Sequence, residues 1–379
     1  MVRANPYDGE KEGANEHMES NRVFFSIMLP VYNGQDLVAQ AIESVINQPY
    51  DNWELIIMND GSTDNTLNIC QTYSRQDPRI QIHTHENVGL GKNRNMGFEY
   101  LSGRWTIFLD HDDMILGNFL TEELANFLQK CEHNQIDLIV PARLVVDYEV
   151  KNARIEYVPW DEIRVGGNDV SWNMIHEFAT MLYRTELLTA HNIRFHETRP
   201  EMESIFRHKA AFLARKVLFT NQLFFGVRRE NPKSITNTWD YLKIIPVRFQ
   251  TYADLEQWHI NYDKDDRQAY LSTKTRTIEI VKDYLERNLE NKVSIAQTLE
   301  NAKQLSMYAY VQACTHERGL RNAWVHLFAR LPRLSLYMMK CRQEKDQTPQ
   351  MRKYSNSYDY YLCKANQFKT VYSRLSDTM

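Results

Sequence analysis

The residues of this chain best suited to chemistry by type and spacing are Asp110, Asp112 and Asp113, set around His111 at the end of the apolar run Trp105-Thr106-Ile107-Phe108-Leu109. An apolar run that stops abruptly at acids predicts a buried strand whose C-terminal end opens to solvent, which is where open α/β sheets hold their ligands. Carboxylates this close repel one another unless a cation, or a ligand carrying one, lies among them. Hard carboxylate oxygens suit Mg²⁺ or Mn²⁺. The other reading of the cluster is an acidic turn that caps the next helix.

A strand of this kind needs a sheet around it, and the preceding residues supply one. The run 23–33 is strand-like and closes in a turn with Pro30, Asn33 and Gly34. Leu37, Ala41, Ile42, Val45 and Ile46 then recur at helical spacing, and a second apolar run over 53–58 ends in Asn59-Asp60-Gly61-Ser62-Thr63-Asp64. A helix over 65–75, a strand over 80–84, a Gly-rich turn over 87–91 and a helix over 93–101 lead to the Trp105 strand. Alternating β and α units at this spacing predict an α/β fold, with a largely parallel sheet flanked by helices on both faces.

With 25% charged and 43% hydrophobic residues over 379 positions, the composition fits a soluble globular chain of two domains and excludes a disordered or fibrous one. The net charge of -4 gives no general pull toward nucleic acid, and no nucleic-acid partner is expected. Cys70, Cys131, Cys314, Cys341 and Cys363 are odd in number and have no close pairs, which fits a reducing, cytoplasmic setting better than a disulfide or zinc framework. Residues 1–21 lack an apolar core and read as a mobile tail rather than a secretory signal. No apolar run reaches the roughly 20 residues of a spanning helix, so no membrane span is expected.

Four motifs stand in a common order. They are Pro30-Val31-Tyr32-Asn33, the segment from Asn59 to Thr66, the Asn87-x-Gly89-x-Gly91-x-Asn93-Arg94-Asn95-x-Gly97 stretch, and Asp110-His111-Asp112-Asp113. Their order and spacing resemble family 2 glycosyltransferases of the GT-A fold, and the likeness continues more loosely to about residue 240. The resemblance implies a catalytic domain over 22–240 that takes a nucleotide-sugar donor. Tyr32 and Asp60 match the positions that hold uracil, the tyrosine by stacking and the carboxylate by accepting from the ring N–H. Pro30 and Asn33 belong to the same donor-binding motif. A buried tyrosine and an Asp-Gly turn cap are the alternatives. Arg94 falls where the family places a cation against base or diphosphate, although an arginine early in a helix also suits a solvated surface.

Asp110 and Asp112 match the family's Asp-x-Asp motif, the first contacting ribose and the second the metal, Mn²⁺ or Mg²⁺, that bridges the diphosphate. Asp113 could share the metal, as could Asp110. His111, in the variable position, either faces the donor sugar or is a spacer. A divalent cation neutralises the charge that develops on a nucleoside diphosphate leaving group.

Farther along, Leu116, Phe119, Leu120, Leu124, Phe127 and Leu128 predict an amphipathic helix, and 136–140 a strand. The irregular stretch 145–170 suits an excursion that shapes the acceptor pocket. The family commonly follows with Glu-Asp as the source of its catalytic base, but here the stretch reads Arg199-Pro200-Glu201-Met202-Glu203-Ser204-Ile205-Phe206. Keeping the spacing to Phe206 puts Glu203 at the base position, with Glu201 as competitor. A solvated acid at a helix start is the alternative for either. Short strands are expected over 217–220 and 223–227. Arg228, Arg229 and Lys233 lie in a segment resembling the family's loop over the donor diphosphate, and a solvated basic loop is the other reading.

From 241 to 379 helical spacing dominates, and a C-terminal helical domain is expected. Trp324, Leu327, Phe328 and Leu331 share one helical face, and from Leu320 onward about eleven Lys and Arg stand against about four Asp and Glu. Such a face suits peripheral attachment to an anionic membrane surface at the inner face of the cell membrane. Packing against the rest of the protein or a second copy is the alternative. The expected activity is inverting transfer of a sugar, UDP-linked in preference to GDP- or dTDP-linked, to a hydroxyl of a glycan or lipid-linked glycan. The rival is a noncatalytic nucleotide-sugar-binding subunit of a polysaccharide assembly complex.

Overall fold

The computed structural model describes residues 23–146, 153–158, 161–173, 178–197, 202–228, 240–262, 267–317, 320 and 322–345. Glu201, Arg229, Lys233, Arg321 and the 1–21 segment lie outside the described residues. In chain order the elements are β1 (Phe25–Val31), α1 (Val38–Ile46), β2 (Trp53–Asn59), α2 (Thr66–Ser74), β3 (Ile80–Thr84), α3 (Leu90–Gly97), β4 (Trp105–Phe108), α4 (Glu122–His133), β5 (Ile136–Val146), β6 (Ala153–Glu156), β7 (Glu162–Val165) and α5 (Asn168–Asn173). There follow β8 (Leu182–Arg184), α6 (Thr185–Ala190), α7 (Met202–Leu213), β9 (Lys216–Arg228), α8 (Tyr241–Tyr262), α9 (Arg267–Glu290), α10 (Ile295–Gln304), α11 (Met307–Cys314), α12 (Ala323–Arg330) and α13 (Pro332–Lys345).

These elements form two compact units. The described residues of the first lie within 23–156, 179–194 and 222–228, and its strands run in the order β3-β2-β1-β4-β8-β5, with β6 on β5. β1 is central and parallel to both neighbours, with Phe25 opposite Trp53 on one side and Trp105 on the other. Every residue of β1 is buried, as expected of a parallel strand covered on both faces. On α1, Val38, Ala41, Ile42 and Val45 recur at i, i+3, i+4 and i+7 and are all buried.

The parallel pattern ends at β4. β8 pairs antiparallel with β4 and β5, and β6 antiparallel with β5, so the sheet is mixed rather than largely parallel. Parallel neighbours need helical crossovers, and the strand–helix alternation legible from β1 to β4 is where those crossovers lie.

Two local differences have clear causes. The helix expected from Leu116 starts only at Glu122, because the Gln48 side chain accepts from the amides of Phe119 and Leu120, both at 2.9 Å, and holds them in a loop. Thr121 then caps α4 by accepting from Leu124 N, with Glu122 and Glu123 in the first turn. The Trp105 indole donates to Glu132 at 2.7 Å and ties α4 to β4. The two short strands expected after residue 216 are one strand, β9.

The described residues of the second unit lie within 157–178, 195–221 and 240–345, so α5, α7 and β7 group with the C-terminal helices. β7 pairs antiparallel with the start of β9, from Glu162 opposite Phe219 to Val165 opposite Lys216. Ile245, Leu255, Ile278, Val281, Leu285, Met307, Val311, Val325, Phe328 and Leu336 form its buried core. Within it the buried Glu256 carboxylate accepts from Thr277 and Tyr310 hydroxyls at 2.5 Å and from Lys274 at 3.0 Å, tying α8, α9 and α11 together. Phe328 is fully buried and stacks on Trp324 at 4.9 Å, so this part of the stripe read as membrane-facing is spent on the core. Among the described residues no helix is long and apolar enough to cross a membrane.

Candidate functional site

Because β1 to β4 are parallel, their C-terminal ends share one edge of the first unit, and the four sequence motifs sit there, in the strand ends, the loops that follow them and the start of α3. Each loop is bonded to a neighbour. Asp60 N donates to the Val31 carbonyl at 2.9 Å. Asn33, held at φ 49°, accepts on its side-chain oxygen from Thr63 N at 2.8 Å and donates its own amide to Ser62 Oγ at 3.0 Å. Asparagine tolerates this left-handed conformation better than most residues. Gly34 N donates to Thr66 Oγ1 at 2.8 Å and Gln35 N to Asp64 at 3.2 Å. Burial raises the Asp64 carboxyl's affinity for its proton, but hydrogen bonds from Thr66 and Gln35 outweigh this and hold it below its ordinary range.

The β2 turn is bonded in the same way to the loop after β3. Asp60 is 3% exposed, and its two oxygens accept from Val88 N at 2.8 Å and Gly89 N at 3.0 Å. Gly61 sits at φ 68°, and a Cβ there would lie 2.8 Å from Asn87 N. Asn93 is a bridge that the motif alone did not reveal: its amide donates to Met58 O at 2.9 Å, and its oxygen lies 2.9 Å from His85 Nε2. His85 Nδ1 in turn lies 3.6 Å from Asp60. A histidine two residues before the glycine-rich pattern carries no signal readable from sequence.

Arg94 is neither a solvated helix residue nor open to a base. It is fully buried and donates to Asp110 Oδ1 at 2.5 Å, while the Asp110 side chain keeps 30% of its exposure. A charge-assisted bond of this kind fixes the first acid of the cluster while leaving its other oxygen to solvent or ligand. Asp113 N donates to Asp110 O at 2.9 Å and closes the acids into one turn. His111 is not a spacer projecting into water: a Cβ added at Gly34 would lie 2.5 Å from its ring, so the imidazole covers the β1 turn.

Tyr32 is 46% exposed beside these groups, and Pro30 is buried inside β1 opposite Met58. The structure thus brings together Pro30, Tyr32, Asn33, Asp60, Arg94, Asp110, His111, Asp112 and Asp113 along one edge. Glu203 belongs to the second unit, half-buried in the first turn of α7, and Arg228 is the last residue of β9.

Among the described residues no group of three or more His, Cys, Asp and Glu side chains forms a complete cage for a metal. Mg²⁺ that works on phosphates takes one or two protein carboxylates and completes its shell with substrate oxygens and water. Asp112 with Asp113, half-buried at the mouth of the sheet, is a hard-oxygen donor set of that kind.

Residues 26–190 match the family model described as Glycosyl transferase family 2, so this part of the chain is similar to that family. It is 25% identical over 226 residues to glycosyltransferase GlyA of Streptococcus pneumoniae, covering 56% of this chain and 32% of that protein. It is 38% identical over 120 residues to minor teichoic acid biosynthesis protein GgaB of Bacillus subtilis, covering 30% and 13%. Of the curated relatives it matches first, the chain spans between 32% and 60% of the length. The crystal structure of S. aureus TarS 1-349 in complex with UDP-GlcNAc superposes with a TM-score of 0.57 at 20% identity, covering 86% of this chain and 93% of that one. At that identity the likeness is one of fold, and the fold is GT-A.

Proposed function

We propose that this chain is an inverting transferase that moves a sugar from a nucleotide diphosphate, a UDP-sugar in the first instance, to a hydroxyl of a glycan or lipid-linked glycan in cell-surface polysaccharide synthesis. The observation that carries this reading is the closed set of bonded loops at the β1–β4 edge, in which Tyr32 stays exposed while Arg94 presents Asp110. The TarS structure with UDP-GlcNAc and the GgaB name support the UDP-linked donor and the polysaccharide setting.

In this reading Tyr32 stacks on uracil, Asp60 stabilises the loop under the base, and Asp110 receives the ribose hydroxyls. Asp112, with Asp113 and Asp110 beside it, would hold Mn²⁺ or Mg²⁺, whose chemistry when bound is to neutralise the departing diphosphate. The acceptor oxygen attacks C1 opposite the leaving group. A new C1–O bond forms as the C1–O bond to the diphosphate breaks, and the acceptor proton passes to Glu203, a carboxylate as serviceable for this as the family's usual aspartate. Glu201 is the second candidate for that proton. Arg228 and Arg229 would bind the diphosphate.

The test is single-turnover transfer from UDP-sugars with Asp112→Ala and Glu203→Gln. Asp112→Ala should abolish the metal-dependent rate without lowering the melting temperature. Glu203→Gln should keep donor affinity and lose about 100-fold in rate. Normal transfer by Glu203→Gln together with a dead Glu201→Gln would move the base to Glu201.

A further inference from the structure

In the second unit, a cavity of about 500 Å³ opens where α12 meets α13, lined by Lys303, Tyr308, Arg330, Arg333 and apolar neighbours that include Leu331 and Leu334. Lys303 is paired with Glu300 at 3.7 Å, and among the described residues no acid lines the cavity itself. Arg330 and Arg333 are exposed and have no carboxylate partner among the described residues.

Beside the cavity the outward face of α13 is apolar. Ser335 and Leu336 turn into the core at 1% and 0% exposure, whereas Leu331, Leu334, Tyr337 and Met338 are 46–57% exposed. Single exposed leucines are ordinary, but four large apolar residues within eight positions, rimmed by arginines, mark an interaction face. Its charge is matched by its surroundings in sequence, where basic residues outnumber acidic ones from Leu320 onward.

We propose that this corner is a docking surface for an anionic lipid bilayer, with Arg330, Arg333 and Lys303 on lipid phosphates and Leu331, Leu334, Tyr337 and Met338 entering the headgroup–acyl boundary. An interfacial helix binds by this pairing of apolar area with cations. The surface differs from the Trp324–Phe328 stripe, whose rings are occupied in the core. Its test does not depend on the donor reading, because lipid binding is read without turnover.

The experiment is flotation of the full chain with vesicles of phosphatidylcholine containing 30% phosphatidylglycerol, and with phosphatidylcholine alone, at low salt. The chain should float with the anionic vesicles only and be released as salt shortens the screening length. Arg330→Gln/Arg333→Gln should weaken binding about 25-fold, at roughly fivefold per cation, and Leu334→Ser/Met338→Ser about tenfold. Melting temperatures of both variants should match the parent. Failure to float at low salt, equal flotation with both vesicles, or unchanged binding by both variants would overturn the proposal. So would a dimer that Leu334→Ser/Met338→Ser dissociates in the absence of any vesicle binding, since the face would then join two copies of the chain.

Discussion

Arg94 and Asp60 are the residues whose roles depend most on their neighbours. Arg94→Ala removes a buried guanidinium and leaves Asp110 unpaired, so it should destabilise the fold by about 3 kcal/mol, the scale of a broken buried pair, and weaken UDP binding at least tenfold. Arg94→Lys restores the charge without the fork and should recover only part of the affinity, which calorimetric titration with UDP would measure. Asp60→Ala leaves the Val88 and Gly89 amides without their acceptor. The expected cost is about 2 kcal/mol. The sharper readout is hydrogen exchange, which should speed up at those two amides while those of the β1 core stay protected. Unchanged protection at Val88 and Gly89 would mean the carboxylate does not hold that loop.

At the scale of elements, what matters is how the loops after β1, β2, β3 and β4 are joined. Thr66→Ala removes the hydroxyl that accepts from Gly34 N and should cost about 1 kcal/mol, seen as a lower melting temperature. Gly34→Ala should displace the His111 ring and loosen the acid turn, lowering donor affinity without unfolding β1. The order of strand and helix from β1 to β4 was readable because apolar runs of a buried parallel sheet alternate with i, i+3, i+4 patterns. The acids at the end of β4 were readable for the same reason. Bonds such as Asn33 to Thr63 or Asn93 to Met58 were not, because they join residues about thirty or more positions apart whose adjacency exists only once the sheet has formed. The antiparallel strands β5, β6 and β8 were also less legible, since they need no crossover helix to announce them.

Over the whole molecule, the buried His208 should contribute to a loss of stability in acid. His208 is buried, and burial first, then His259 at 3.1 Å and the nearby Arg207 and Lys209, push its pKa well below the ordinary value. The unfolded chain takes up this proton near pH 6.5 while the folded chain does not, so the unfolded state binds more protons below that pH. Stability should therefore fall as pH drops from about 6.5, by up to roughly 1.4 kcal/mol per pH unit from this group. Melting followed from pH 7.5 to 5.0 checks the sign, and the slope should flatten in His208→Leu if that variant folds. The helical character beyond residue 240 was plain from spacing, but the packing of 157–178 and 195–221 with those helices was not, because sequence adjacency does not reveal which unit a short segment joins. The central claim, that the β1–β4 edge is a nucleotide-sugar site, is tested most directly by thermal stabilisation of the full chain with UDP, GDP and dTDP and their sugars, each with and without Mn²⁺. A rise in melting temperature with a UDP-linked ligand that needs Mn²⁺ and is lost in Asp112→Ala is the predicted result, and no stabilisation by any nucleotide at a thousandfold excess would contradict it.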